Sequence, residues 1–250
     1  MAHEEYGDGP HTVIALHGWL GSAAAWRPLH RHLDGAAFRY VFPDYRGYGS
    51  RLEETGAYTL AEASADVLAL ADRLGVERFS LLGHSMGGTV MQRVLADAPH
   101  RVRAMVGVSP VPAAGVPFDE QAWALFSGAA DEPANRRAVV DLTTGGRLTG
   151  VWLDAVVGHS VRNSTRAAVA GYLEAWANTD FHTEIKGSEV AVKAIVGEHD
   201  PALGAGVMEA TFRQWYPRCE VEVLANAGHY AMDETPVALA TSVERFLTQW

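Results

Sequence analysis

Ser85 is the residue whose sequence context most favours covalent chemistry. It follows an apolar run, Phe79–Leu82, which predicts a short buried strand, and it precedes a helical pattern over Thr89–Asp97. The turn between them reads Gly83-His84-Ser85-Met86-Gly87-Gly88. A serine flanked by glycines between a strand and a helix is the pattern of a nucleophile elbow, although the same string also occurs in ordinary loops. Such an elbow requires a positive φ at the serine, a strain of about 1–3 kcal/mol, and we expect this φ at Ser85.

The elements around this turn alternate between short strands and helices. Apolar runs without period-2 alternation, separated by helical patterns, predict a parallel sheet that is covered on both faces. The predicted strands are Val13–Leu16, Tyr40–Pro43, Phe79–Leu82, Met105–Val108, Val190–Val196 and Val221–Leu224. The predicted helices run from a cap at Ser22 toward Leu33, over Leu60–Leu74, from Thr89 to about Ala98, over Val207–Trp215 and from Pro236 to Trp250.

One long segment, about residues 111–186, interrupts this alternation. It has no clear strand but several amphipathic helical stretches rich in aromatic residues. We expect a single domain over residues 1–250, in which this segment is a helical insertion over the carboxyl ends of the strands. Its aromatic residues are either core of the insertion or part of a substrate pocket. The pocket candidates, together with two aromatics outside the insertion, are Trp19, Trp123, Phe126, Trp152, Trp176 and Tyr230.

Composition limits the classes of partner. The 250 residues are 48% hydrophobic, which is enough for one large core, and the formal net charge of −10 argues against nucleic-acid or anionic-membrane partners. The only cysteine, Cys219, cannot form an intrachain disulfide or a cysteine-based metal cluster. Nothing at the N-terminus resembles a secretion signal, and no apolar run approaches about 18 residues. We therefore expect a cytoplasmic protein with a small-molecule substrate; the sequence does not specify its oligomeric state.

The motifs together resemble the α/β-hydrolase superfamily, and the resemblance covers nearly the whole chain. The matching segments are His17-Gly18-Trp19, Asp44-x-Arg46-Gly47-x-Gly49-x-Arg51, Gly83-His84-Ser85-Met86-Gly87-Gly88, Gly197-x-x-Asp200 and Gly228-His229. The resemblance implies a mostly parallel sheet flanked by helices, with a helical cap inserted after the sixth superfamily strand. Members normally carry two antiparallel strands before the His-Gly strand. Only about ten residues precede it here, so we expect the first strand to be absent or vestigial and the sheet to have six or seven strands.

The resemblance also implies the roles of the site residues. Ser85, Asp200 and His229 occur in the superfamily's order of nucleophile, acid and base. The backbone N–H groups of Trp19 and Met86 correspond to the oxyanion hole. Glu198 competes with Asp200 as the acid; a second acid position used in the superfamily, after the Met105–Val108 strand, reads Ser109-Pro110 and carries no carboxylate.

Several other polar residues near these motifs have structural interpretations. His17 and His84 are expected to hydrogen-bond loops near the elbow, and Asp44 and Arg46 correspond to a structural turn pair of the superfamily. Asp233 and Glu234 are expected to cap the terminal helix.

The predicted activity is that of a cofactor-independent serine hydrolase, without a metal, which cleaves a small carboxylic ester or lactone through an acyl-enzyme on Ser85. The same triad on this fold also serves C–C bond hydrolysis of diketo ring-fission products and perhydrolase or haloperoxidase activity. An aspartate nucleophile would instead have implied epoxide or haloalkane chemistry. A ligand-binding receptor on the same fold is the non-enzymatic alternative.

Overall fold

A seven-stranded sheet forms the centre of the protein, whose computed structural model describes residues 1–250. The strands are β1 (His3–Tyr6), β2 (His11–Leu16), β3 (Phe38–Pro43), β4 (Phe79–His84), β5 (Val102–Val108), β6 (Ala191–Gly197) and β7 (Cys219–Leu224). Their spatial order is β1-β3-β2-β4-β5-β6-β7, and only β1 runs antiparallel to its neighbour. The prediction of a mostly parallel sheet is confirmed, and the strand count is within the expected six or seven.

Helices cover both faces of the sheet. They are α1 (Arg27–His30), α2 (Leu60–Arg73), α3 (Met86–Asp97), α4 (Glu120–Gly128), α5 (Pro133–Thr143), α6 (Gly150–Arg162), α7 (Arg166–Asn178), α8 (His182–Ile185), α9 (Ala205–Ala210), α10 (Phe212–Trp215), α11 (Ala231–Glu234) and α12 (Pro236–Leu247). The core consists of two clusters of 45 and 24 buried residues. In β2, Ile14 and Leu16 belong to the larger cluster, whereas Val13 and Ala15 belong to the smaller one. The strand is therefore buried on both faces, which explains its uninterrupted apolar run.

The helix expected from Ser22 toward Leu33 does not form as one unit. A 3-10 turn, Ala23–Trp26, is followed by the four-residue α1, and Ser22 does not cap it. Instead, Asp44 Oδ1 accepts the Ala23 N–H at 2.8 Å, and Ser22 Oγ pairs with His159 Nε2 at 2.8 Å. A carboxylate from the loop after β3 thus takes the capping role that the local sequence assigned to Ser22.

Helices α4 to α8 form the segment between β5 and β6, where the helical insertion was expected. They are tied to the loops that follow β2 and β3. The Trp19 indole donates to the Val169 carbonyl at 2.8 Å, and the Thr165 N–H donates to the Gly47 carbonyl at 2.9 Å. The insertion therefore lies over the carboxyl ends of these strands. None of the protein's helices has the length and apolar character needed to cross a membrane.

Candidate active site

Ser85 occupies the sharp turn between β4 and α3. Its backbone has φ 51° and ψ −117°, so the positive φ expected at this serine is confirmed. The strand and helix approach so closely that a Cβ on Gly83 would lie 2.5 Å from the Gly87 carbonyl oxygen. The Ser85 carbonyl accepts the N–H groups of Gly88 at 2.8 Å and Val111 at 3.0 Å. These two bonds hold the carbonyl group of the strained residue in place.

Asp200 and His229 are joined by a short hydrogen bond at the ends of β6 and β7. His229 Nδ1 lies 2.7 Å from Asp200 Oδ2, and both residues are buried. The other carboxylate oxygen, Oδ1, accepts the N–H groups of Ala202 and Leu203, each at 3.0 Å. Burial alone would raise the pKa of Asp200, but the His229 ring and these hydrogen bonds bring the pKa below its usual value. An ionised Asp200 favours the His229 tautomer with the proton on Nδ1, which leaves Nε2 as an acceptor.

Hydrogen bonds with His84 and Thr143 hold the loop that carries His229. The His84 ring donates from Nε2 to the His229 carbonyl at 2.9 Å, and the His229 N–H donates to the Thr143 carbonyl at 3.2 Å. Burial, together with the neighbouring His229, lowers the pKa of His84 to about 3. His84 is therefore neutral near pH 7 and acts here as a hydrogen-bond donor to the loop.

Glu234 also holds this loop, a role that the sequence did not indicate. Its Oε2 accepts the Gly228 N–H at 2.8 Å, its Oε1 accepts the Tyr230 N–H at 3.1 Å, and Arg147 pairs with it at 3.0 Å. The expectation that Glu234 caps the terminal helix is wrong: the N-cap of α12 has no side-chain capping bond. The carboxylate instead turns back to satisfy the two backbone N–H groups on either side of His229.

The competing acid and the flanking polar residues have other partners. Glu198 accepts the Asn226 N–H at 3.1 Å and makes no bond to His229. His17 Nδ1 pairs with the Gly18 carbonyl at 2.8 Å, in keeping with a loop contact beside the elbow. Arg46 forms an ion pair with Asp66 at 2.9 Å. Among the carboxylates considered from the sequence, Asp200 is the one that contacts His229.

Ser85 and His229 line one cavity under the insertion, which contains about 700 Å³ of space when its open mouth is included. The Ser85 hydroxyl and His229 Nε2 are not hydrogen-bonded in this conformation. Such bonds are often long in ligand-free enzymes and tighten in the substrate complex. The Trp19 and Met86 N–H groups donate to no acceptor within the protein. Two backbone donors next to Ser85 are thus available to a bound oxyanion.

Four of the six aromatic pocket candidates line this cavity: Trp19, Phe126, Trp176 and Tyr230. Trp19 stacks on Phe126 with ring centroids 5.8 Å apart, and Trp176 meets Trp19 edge-on at 5.7 Å.

The other two candidates, Trp123 and Trp152, lie outside this lining. Trp123 packs behind Phe118 at 6.2 Å, and Trp152 packs behind Tyr230 at 5.4 Å. Phe118, which does line the cavity, was missed because it lies in an irregular loop before α4, where no periodicity marks it.

The cavity wall carries no Asp, Glu, Lys or Arg side chain. Apart from Ser85, its polar side chains are His84, Thr143 and His229; the rest of the lining is Gly18, Trp19, Leu20, Gly21, Ala25, Val111, Val116, Phe118, Phe126, Val139, Trp176, Ala202, Leu203 and Tyr230. The site is thus an apolar, aromatic chamber with its polar groups gathered around Ser85. No group of three or more His, Cys, Asp or Glu side chains in the protein is arranged to hold a metal ion.

Comparison with known proteins identifies relatives of this chain. Residues 11–155 match the family model described as the alpha/beta hydrolase fold. Over 107 residues, 42% of this chain, it is 36% identical to the dihydrolipoyllysine-residue acetyltransferase component of the acetoin cleaving system of Cupriavidus necator, and the match covers only 28% of that protein. Epoxide hydrolase A of Mycobacterium tuberculosis is 26% identical, with coverage of 96% of this chain and 91% of that protein. An esterase from Exiguobacterium antarcticum superposes with a TM-score of 0.87 at 18% identity, over 98% of this chain and 94% of that one, which shows a shared fold.

Proposed function

The chain belongs to the α/β-hydrolase family, and we propose that it is a cofactor-independent serine hydrolase that cleaves a small carboxylic ester or lactone through an acyl-enzyme on Ser85. The observation that supports this most directly is the hydrogen-bonded pair of Asp200 and His229, whose ring opens onto the same cavity as Ser85. A serine hydroxyl is a weak nucleophile at neutral pH, and a histidine oriented by a carboxylate is the arrangement that activates it.

In the proposed reaction Ser85 Oγ attacks the carbonyl carbon, and His229 Nε2 takes the hydroxyl proton. The C–O bond to the leaving group then breaks, and His229 returns the proton to the leaving oxygen. A water molecule attacks the resulting acyl-serine, again with its proton passing through His229, and releases the acid. Asp200 stabilises the imidazolium in each half-reaction and stays ionised.

The free N–H groups of Trp19 and Met86 would bind the oxyanion of each tetrahedral intermediate. Backbone donors that are already aimed at the developing charge need no reorganisation, and one such donor is worth about 2.7–4 kcal/mol where it has been tested. Met86 is also the first residue of α3, so the positive end of the helix dipole adds to this attraction.

The uncharged lining favours a neutral acyl group and weighs against the C–C hydrolase alternative. A ring-fission product of the dienoate type carries a carboxylate, which in an apolar chamber without Lys or Arg would lose its hydration without gaining a partner. The epoxide hydrolase relative suggests another reaction, but serine at position 85 argues against it. An alkyl ether formed on Ser85 by epoxide opening would offer no carbonyl for water to attack, whereas an acyl ester does.

The test compares hydrolysis of p-nitrophenyl butyrate by the native chain and by Ser85→Ala. We expect turnover by the native chain and loss of at least about 10³-fold in kcat with the variant, since removing a triad nucleophile has effects of this size or larger. Ser188→Ala, before β6 at the opposite end of the sheet, serves as the control and should retain native activity. Cleavage of a chromogenic dienoate with no turnover of esters or lactones would instead favour C–C hydrolysis, and inactivity on all of these substrates would overturn the proposal.

A further inference from the structure

A second groove adjoins the cavity that Ser85 and His229 line. It runs between the turn after β2 and helix α6, and it shares Leu20, Gly21, Ala25 and Tyr230 with the cavity. Beyond these shared residues the groove is bounded by Trp152 and His159 of α6 and by Asp233 of α11. Tyr230 therefore lines both the cavity and the groove and stands at the boundary between them.

The direction of proton transfer identifies which part of a substrate faces this groove. His229 must deliver its proton to the leaving oxygen, so the leaving group departs on the His229 side of the carbonyl. Tyr230 is the next residue, and its ring lies 5.6 Å from the His229 ring. The groove that continues past Tyr230 is consequently on the leaving-group side, whereas the chamber of Trp19, Phe126 and Trp176 is left for the acyl group.

Asp233 gives the groove a negative charge above about pH 6, because desolvation and the neighbouring Glu234 raise the pKa of this carboxyl to about 6. Its carboxylate forms no ion pair and no side-chain hydrogen bond, and it is the only Asp, Glu, Lys or Arg side chain in the lining. Arg147 pairs with the adjacent Glu234 at 3.0 Å and Arg27 pairs with Glu4 at 2.6 Å, so neither arginine pairs with Asp233. Burial lowers the pKa of His159, so its ring adds no positive charge near pH 7.

Two aromatic rings stand in the same groove as this carboxylate. Trp152 meets Tyr230 edge to face, with centroids 5.4 Å apart at 79°. Both are half-buried, so each leaves part of its ring accessible. Electron-rich aromatic faces beside an unpaired carboxylate suit an organic cation, which gains from the rings and from the charge at once.

We propose that this groove binds the leaving group of the substrate and that this group is an alcohol bearing a quaternary or protonated amine. The inference rests on the proposed ester hydrolysis at Ser85 and specifies its substrate class: a neutral, apolar acyl group joined to a cationic alcohol. Trp152 and Asp233 are then specificity-determining residues, and neither touches the reacting carbonyl.

The test uses two butyrate esters of matched shape, one of choline and one of 3,3-dimethylbutanol, which replaces the quaternary nitrogen with carbon. We expect kcat/KM to be about tenfold higher for the choline ester, in line with a cation held by aromatic faces and a carboxylate. Asp233→Asn and Trp152→Leu should each bring this ratio close to one. Asp8→Asn removes the same charge at the amino end of β2, on the far side of the sheet, and should leave the ratio at its native value.

A binding measurement separates this inference from the proposed function. Titration with tetramethylammonium chloride, followed by calorimetry against a sodium chloride blank, should show binding to the native chain and to Ser85→Ala, and weaker binding to Asp233→Asn. If neither ester is hydrolysed but the cation binds in this pattern, the ester hydrolase proposal fails and the cation site stands. Equal kcat/KM for the two esters, or cation binding that is insensitive to Asp233, would overturn the inference.

Discussion

Among the single residues, Asp200 fixes the orientation of the His229 ring through its hydrogen bonds. One carboxylate oxygen is held by the Ala202 and Leu203 N–H groups, so the carboxylate cannot rotate, and the other oxygen is left for His229 Nδ1. The ring is thereby held with Nε2 toward the cavity. In the proposed reaction, Asp200 acts through orientation and charge rather than by taking a proton.

Asp200→Asn should therefore inactivate the protein without unfolding it. The new amide keeps its oxygen for the two N–H groups but presents an NH₂ group to His229, which forces the ring proton onto Nε2 and blocks its action as a base. We expect kcat for p-nitrophenyl butyrate to fall by about 10³–10⁴-fold, with a thermal unfolding midpoint near that of the native chain. Glu198→Gln, at the rival carboxylate, is the matched control. A large loss of kcat in that control, with Asp200→Asn still active, would assign the acid role to Glu198.

His84 should make the fold sensitive to acid. Its ring is buried and neutral with a pKa of about 3, whereas in the unfolded chain a histidine has a pKa of about 6.5. The unfolded state therefore binds a proton that the folded state does not, so stability falls as the pH drops below about 6.5 and continues to fall toward about 3. Between pH 7 and pH 5 this residue alone accounts for a loss of up to about 2 kcal/mol in the free energy of unfolding.

The variant His84→Gln, which retains an N–H donor for the His229 carbonyl, should lose correspondingly less stability over that interval. Urea unfolding at pH 7 and pH 5 measures the difference. His100→Gln, at an exposed site after α3, is the control and should follow the native chain. An equal pH-dependent loss in His84→Gln and the native chain would contradict a neutral buried His84.

Among the elements, Glu234 at the end of the short helix α11 connects that helix to the loop that carries His229. Its two oxygens satisfy the N–H groups of Gly228 and Tyr230, which flank His229. We expect Glu234→Ala to lower kcat about tenfold while KM changes little, because small displacements of a catalytic group reduce the rate more than substrate binding. Steady-state kinetics with p-nitrophenyl butyrate measures both parameters. The control is Glu209→Ala, which removes an exposed carboxylate on α9. Unchanged kcat in Glu234→Ala would show that the loop keeps its position without this contact.

The sequence predicts elements well where the signal is local. The strands β4 and β6 and the helix α2 are continuous apolar or periodic segments, and the helix predicted over Leu60–Leu74 forms over Leu60–Arg73. Prediction fails where a distant side chain changes the local outcome. Two examples are the hydrogen bond from the Ala23 N–H to Asp44 and the one from the Gly228 N–H to Glu234. Both depend on contacts that form only in the folded chain.

The candidate site shows the same difference between features with a local sequence signal and features that depend on distant contacts. The positions of the motif residues could be predicted from the sequence because the turn after each strand has its own signature, as at Ser85. Pocket residues could not, since helical spacing does not tell which face of an insertion helix turns toward the sheet. Trp152 and Trp176 are both aromatic residues of insertion helices, yet only Trp176 lines the cavity that contains Ser85.

At the scale of the whole molecule, the parallel sheet brings residues from distant parts of the chain to one edge. Trp19 follows β2, Ser85 follows β4, Asp200 follows β6 and His229 follows β7. The carboxyl ends of parallel strands meet at this edge, where ligands bind in open α/β sheets. The insertion covers this edge with an apolar wall and so encloses the cavity that Ser85 and His229 line.

Intact-protein mass spectrometry after treatment with a fluorophosphonate tests whether Ser85 is the covalent nucleophile. The reagent reacts with serines that a neighbouring base activates, and it needs no knowledge of the substrate. We predict a single adduct per chain on the peptide that contains Ser85, no adduct on Ser85→Ala, and much slower labelling of Asp200→Asn. A native chain that remains unlabelled, or an adduct that persists in Ser85→Ala, would show that Ser85 is not the activated nucleophile.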